Sequence, residues 1–136
     1  MSTEVRGGCL CGEVRFVVDG PFEAFYLCYC SRCRKATGSA HASNLFVKPE
    51  RIRWLSGQDR IQRFELAGAR FFSRCFCTAC GSAVPWTSKR NGSVIIPAGA
   101  LDDEPDIRPE QQIYCADQAA WSKDLDTVPR SDQGRG

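Results

Sequence analysis

The amino-acid sequence predicts a mainly β fold of short antiparallel strands, stabilised by bound metal. Three observations carry that expectation. Gly, Pro and Asn interrupt the chain at short intervals, and the segments between them alternate with period two. No segment before residue 110 repeats its apolar residues at helical spacing. Nine of the 136 residues are cysteines, and eight of the nine fall in tight CxC or CxxC groups. A 15.1 kDa chain suits one domain with a thin β core. Residues 1–130 are expected to form that single zinc domain, with 131–136 a flexible tail beyond Pro129.

The elements follow in order. Residues 13–18 form a first strand, bounded by Gly12 and by the turn Asp19-Gly20-Pro21. Residues 24–28 form a second, running directly into Cys28-Tyr29-Cys30-Ser31-Arg32-Cys33. A short helical turn over 32–37 ends at Gly38. Strands at 43–47, closed by Lys48-Pro49, and at 51–55 follow. In the latter, Ile52 and Trp54 oppose Arg51, Arg53 and Leu55. After the Gly57 turn, residues 61–66 and 69–77 alternate again. Residues 84–86 and 94–98 are shorter strands separated by the hairpin-like Asn91-Gly92, with Pro85 and Pro97 marking edges or ends. Asp117 is placed to cap a short helix through Trp121. Phe46, Trp54, Phe64, Phe71, Phe72, Phe76 and Trp86 are assigned to the core.

Composition excludes several classes. No segment approaches the eighteen or so apolar residues of a membrane span, and the start MSTEVRGGCL lacks the apolar run of a secretory signal. The expectation is a cytoplasmic protein with reduced cysteines, and a complete internal disulfide framework would leave one of the nine over. The formal net charge of +2 predicts no strong attraction to nucleic acid, although residues 1–98 carry +7 and residues 99–136 carry −5. GxGxxG, P-loop, HExxH and GxSxG motifs are all absent.

The cysteines fall at 9, 11, 28, 30, 33, 75, 77, 80 and 115. Zinc holds thiolates at about 2.3 Å, so neighbouring sulfurs must sit roughly 3.8 Å apart. An i,i+2 pair on an extended segment points to one face, and an i,i+3 pair converges around a tight turn. One partition puts Cys9, Cys11, Cys77 and Cys80 around a structural zinc that clamps the start of the chain to its middle. The glycines at 7, 8, 12 and 81 permit close backbone there. The competing zinc ribbon, Cys30/Cys33 with Cys77/Cys80, leaves Cys9/Cys11 and Cys28 without a role. In the first partition Cys28, Cys30 and Cys33 remain as three ligands with one exchangeable position, the pattern of a catalytic zinc, unless Cys75 or Cys115 closes it.

Three thiolates around Zn2+ leave a net −1, a poor centre for activating water but one that exchanges readily with another thiolate. That chemistry suits a sulfur-containing small molecule, through binding of its thiolate and stabilisation of sulfur as a C–S bond breaks. Arg32, Arg34 and Lys35 are candidate anchors for a carboxylate-bearing thiol, or else a solvated basic turn. His41, the only histidine, is a candidate proton shuttle or a surface residue. Tyr29 either covers the metal or packs in the core.

The landmarks Gly8-Cys9-Leu10-Cys11-Gly12, Cys28-Tyr29-Cys30-Ser31-Arg32-Cys33-Arg34-Lys35 and Arg74-Cys75-Phe76-Cys77-Thr78-Ala79-Cys80-Gly81-Ser82, with Ile113-Tyr114, Ala120-Trp121, Asp126 and Pro129, resemble the glutathione-dependent formaldehyde-activating enzyme (GFA) or CENP-V domain family across residues 7–130. The resemblance implies an Mss4-like zinc fold with Cys9, Cys11, Cys77 and Cys80 structural and Cys28, Cys30 and Cys33 associated with catalysis. It also implies a carbon–sulfur lyase acting on a small thiol adduct such as S-hydroxymethylglutathione, with two Zn2+ and glutathione as co-substrate. The sequence departs from the family pattern at Tyr29 and Gln112, where histidines are common. The alternative is a non-enzymatic zinc-stabilised binding protein, which predicts no pocket beside Arg32.

Overall fold

The computed structural model describes residues 4–135. It contains eleven short strands and one α-helix. The strands are β1 (Glu4–Gly8), β2 (Arg15–Asp19), β3 (Ala24–Cys28), β4 (Ala42–Val47), β5 (Ile52–Ser56), β6 (Ile61–Glu65), β7 (Ser73–Cys77), β8 (Ala83–Val84), β9 (Trp86–Thr87), β10 (Val94–Pro97) and β11 (Gln111–Ile113). The helix α1 (Ser31–Thr37) joins β3 to β4. No helix among the described residues is long and apolar enough to cross a membrane.

Three sheets result, ordered β1-β2-β5, β11-β3-β4-β10-β9 and β6-β7-β8. Every pairing is antiparallel except β11 with β3, where Ile113 lies opposite Cys28. The main core lies where β2 meets the five-stranded sheet: Phe16, Val18, Phe25, Leu45, Val47, Val94 and Ile96 are buried together. Trp54 meets Phe16 edge-on, with ring centres 5.7 Å apart. A second buried group joins Val14, Val84 and Trp86 to Cys9, Cys75 and Cys77. A third surrounds Cys28, Cys33 and Ala42, with Phe72 and Ile113 packed against it.

Strand β7 separates the last two groups. Its alternation sends Cys75 and Cys77 to the second, while Phe72, just before the strand, packs on the third.

The expected strands at 24–28, 43–47, 51–55, 61–66 and 94–98 all form, within one residue at either end. The first expected strand begins only at Arg15, because Val14 is taken up by the turn that closes on Cys9. The 69–77 strand begins only at Ser73, since residues 66–72 fold into a loop in which Phe72 carbonyl oxygen accepts from Leu66 N–H at 3.1 Å. The 84–86 strand divides at Pro85 into β8, paired with β7, and β9, paired with β10. Two strands, β1 and β11, were not legible. The helix expected from Asp117 is replaced by 3-10 turns at Cys115–Asp117 and Ala120–Ser122. Two aromatics assigned to the core are exposed: Phe64 by 50% and Phe71 by 39%.

Candidate metal centres

Two tight turns meet to form the first centre. In one, Cys9 N–H donates to Val14 carbonyl oxygen (3.0 Å) and Gly12 N–H to that of Cys9 (3.1 Å). In the other, Gly81 N–H donates to Cys77 carbonyl oxygen (2.7 Å). Gly12 and Gly81 both have left-handed backbone, at φ +83° and +77°, which a side chain would strain. Leu10 N–H reaches across to Ser82 Oγ at 3.2 Å and holds the turns together. The sulfurs of Cys9, Cys11, Cys77 and Cys80 all lie within 4.8 Å of one another. Cys9 and Cys11 sulfurs are 3.6 Å apart, and those of Cys11 and Cys77 3.9 Å. These spacings fit the ~3.8 Å edge of a tetrahedral zinc thiolate site.

The electrostatics of this tetrad divide its protons: against Glu13 N–H, burial and the neighbouring thiols push Cys11 up to about 12, while two of its partners are lowered. Ser82, through its hydroxyl and its backbone N–H, lowers the Cys80 thiol to about 5. Burial alone would raise Cys9, yet Val14 N–H, 3.2 Å from its sulfur, and neighbouring thiols carry it down. Cys77 is fully buried and Cys11 exposed, so the site closes the end of β7 at the protein surface.

The second centre grows from the end of β3. Cys28 closes that strand, and Tyr29 N–H donates to Ile113 carbonyl oxygen at 2.9 Å. Cys30 is the N-cap of α1: its sulfur accepts from Cys33 N–H at 3.3 Å, which turns the chain so that all three sulfurs converge within 4.8 Å. Gly38, at φ +64°, ends the helix as the sequence predicts. Cys33 and the backbone N–H of Cys30 pull the Cys28 thiol down to about 6, while the same partnership and burial push Cys33 up. One proton is thus readily lost from the triad while another is tightly held, and a metal bound there has to displace the second.

Neither Cys75 nor Cys115 lies in the triad, and the two CxxC pairs do not converge, so the ribbon partition fails among the described residues. Cys75 is buried beside the tetrad without joining it, and Cys115 is exposed. Arg74, only 9% exposed, lies with its guanidinium carbon 4.6 Å from the Trp86 ring centre. Burial lowers its pKa, and the neighbouring Cys33 and Cys75 oppose that change. It is a buried cation between two groups of thiols.

The triad opens onto a cleft of about 990 Å3. Cys28, Cys30 and Cys33 form one wall, and Arg32, Arg70 and Arg90 supply its cations. The tetrad cysteines do not line it. Of the three basic residues expected to anchor a ligand, Arg32 alone reaches the wall. Arg34 and Lys35 do not, and Arg34 Nε is buried without a hydrogen-bond partner. His41 and Tyr29 are also off the wall. Tyr29 is buried, its ring 5.0 Å from that of His41, and its hydroxyl donates to Gln112 Oε1 at 2.7 Å. The two positions that depart from the family pattern thus bond to each other. His41 Nδ1 lies 3.2 Å from Ser43 Oγ.

Sequence reasoning missed Arg70, Arg90 and the exposed face of Phe71. The only available signals were their positions beside turn glycines, Gly68 and Gly92.

Comparison with known proteins agrees with these features. The profile of the family described as glutathione-dependent formaldehyde-activating enzyme matches residues 4–117. A Halomonas elongata protein, provisionally named a glutathione-dependent formaldehyde-activating enzyme, is 32% identical over 115 residues, covering 81% of this chain and 73% of its own. A crystal structure of a Rhodobacter sphaeroides protein shares the fold at a TM-score of 0.56 and 21% identity, over 79% of this chain and 97% of that one. Cysteine clusters able to chelate metal, the mainly β fold and a match over most of the chain have one reading: this chain belongs to the glutathione-dependent formaldehyde-activating enzyme family, the GFA or CENP-V domain.

Proposed function

We propose that the protein is a zinc-dependent carbon–sulfur lyase acting on a small thiol adduct, S-hydroxymethylglutathione or a relative, in the reducing cytoplasm. The observation that supports this most directly is the placement of the triad, and not the tetrad, on the wall of the large cleft. In this reading Cys9, Cys11, Cys77 and Cys80 hold a structural zinc in an Mss4-like arrangement, and Cys28, Cys30 and Cys33 hold a catalytic one. Zinc held by Cys28, Cys30 and Cys33 would supply Lewis-acid stabilisation of a substrate thiolate.

The residues of the chain provide the rest. Cys30 caps the helix that carries Cys33, so ligand geometry is set by backbone rather than by mobile side chains. Phe72 and Ile113 pack against the triad and line the same cleft, giving the sulfurs an apolar border. Asp117 lies on the cleft wall, close enough that its charge opposes a thiolate at Cys28. We assign it the proton: as the C–S bond breaks, the electron pair passes to sulfur, the hydroxyl loses its proton to Asp117, and a carbonyl forms. Returning that proton to sulfur completes a redox-neutral elimination of aldehyde from the thiol.

The test is turnover of S-hydroxymethylglutathione by protein carrying two zinc equivalents. Release of formaldehyde that is lost in Cys28→Ser is expected, and no turnover of any thiol adduct by fully loaded protein refutes the reading. The non-enzymatic alternative predicts no pocket beside Arg32, and the cleft at that residue counts against it.

A further inference from the structure

Part of the cleft wall is formed by two loops. The β6–β7 loop carries Arg70 and Phe71, and the β9–β10 hairpin carries Arg90. Both guanidinium carbons lie over the same Phe71 ring, 5.3 and 5.2 Å from its centre. Two cations on one aromatic ring repel each other across it, and the nearby carboxylates do not relieve them. Glu65 is already shared by Arg63 Nε at 2.9 Å and Lys89 Nζ at 2.7 Å. Of the cleft's own acids, Glu23 accepts from Ser93 Oγ at 3.5 Å, and Asp117 acts on Cys28. Among the described residues Arg32, Arg70 and Arg90 form no ion pair, as is true of most of the basic side chains, so the cleft wall carries uncompensated positive charge.

The loops are held in place. Ala69 N–H donates to Leu66 carbonyl oxygen (3.2 Å), and Ser88 N–H to that of Ser93 (2.7 Å). Arg90 N–H donates to Ser88 Oγ at 3.1 Å, and the Lys89–Glu65 pair pins the hairpin to β6. Pre-positioned, unneutralised guanidinium groups beside an exposed ring are suited to a carboxylate, which each can bind through two N–H groups. The cleft, at about 990 Å3, is far larger than a two-carbon thiol requires and accepts a tripeptide-sized ligand.

We infer that Arg70 and Arg90, arranged on Phe71, form an anion clamp that selects thiol adducts carrying carboxylates over neutral ones. This rests on the thiol-adduct reading of the triad, and it moves ligand anchoring from Arg34 and Lys35, which are off the cleft wall, to the two loops.

The experiment is calorimetric binding of S-methylglutathione and of its diethyl ester to zinc-loaded full-length protein. Neither ligand has a free thiol, so binding is measured without turnover. The free acid is expected to bind at least ~10-fold more tightly than the ester, with an advantage that shrinks as salt rises. In the double variant R70A/R90A the two affinities should converge, while R34A/K35A should preserve the ratio. Zinc content and circular dichroism verify that each variant is folded. Equal affinities in the parent protein, an unchanged ratio in R70A/R90A, or no binding of S-methylglutathione at millimolar concentration each overturns the clamp. Acid-selective binding without lyase turnover retains the clamp and sinks the lyase reading. Equal turnover of S-hydroxymethylglutathione and its diester does the reverse.

Discussion

The tetrad and the triad are built from the same ligand type at the same local spacings, CxC and CxxC, yet their surroundings differ. The tetrad joins two turns separated by 66 residues and sits beside a buried apolar group, with no share in the large cleft. The triad comes from one strand end and one helix cap, and it faces that cleft. The difference teaches that openness is not encoded in ligand spacing. It follows from how many distant segments a site must hold: a cluster that crosslinks the chain resists removal, while a local one leaves the rest of the fold standing.

The largest expected effect tests that contrast directly. Cys77→Ser places a hydroxyl at a fully buried position and removes a ligand from the long-range clamp. It should cost about 4 kcal/mol or more and abolish cooperative unfolding, measured by circular dichroism in urea. Cys30→Ser should cost less than about 2 kcal/mol, because serine still caps α1 while the triad loses a sulfur. Zinc analysis should then find one equivalent in place of two. Similar loss of structure in both variants would break the comparison.

Acidification should separate the centres more gently. Cys28 is lowered to about 6 and Cys80 to about 5 from the ordinary thiol value of 9.0. A lowered thiol pKa favours the folded, ionised form above 9.0, and that advantage is lost as pH falls through the lowered value. Because the triad offers three sulfurs and the tetrad four, protons should displace metal from the triad first and from the tetrad at more acid pH, as two steps in a zinc-release titration with a chromogenic chelator. A single step, or the opposite order, contradicts the assignment.

The smallest effect concerns the Tyr29–Gln112 bond. Tyr29→Phe removes a hydroxyl from a buried ring and should cost about 1 kcal/mol in urea unfolding, with both zincs retained. A large fall in turnover at unchanged stability would instead place Tyr29 in the reaction, despite its position off the cleft wall.

Much of the fold was readable because its signals are local. Cys28 ends a strand bounded by turns, and Gly38 ends a helix by adopting the left-handed backbone that glycine tolerates. Strand β1, with the sequence Glu-Val-Arg-Gly-Gly, has weak intrinsic strand character and forms through pairing with β2. Strand β11 has only three residues, two of them glutamine, and takes its form from parallel pairing to β3 some 85 residues earlier in the chain. Pro85 divides one apparent strand because its two sides pair with different partners.

By itself the sequence determined the cysteine clusters and their local geometry, since spacings of two and three residues are set by backbone periodicity. Only the tertiary structure decided that Cys9 and Cys11 meet Cys77 and Cys80, that Cys75 and Cys115 stand apart, and that Tyr29 bonds to Gln112. It also decided that Arg70 and Arg90 share one aromatic ring on the cleft wall, while Arg34 and Lys35 stay off it. Those outcomes depend on strand register and on where loops pack, which are properties of contacts between distant segments and leave no mark on any short stretch of chain.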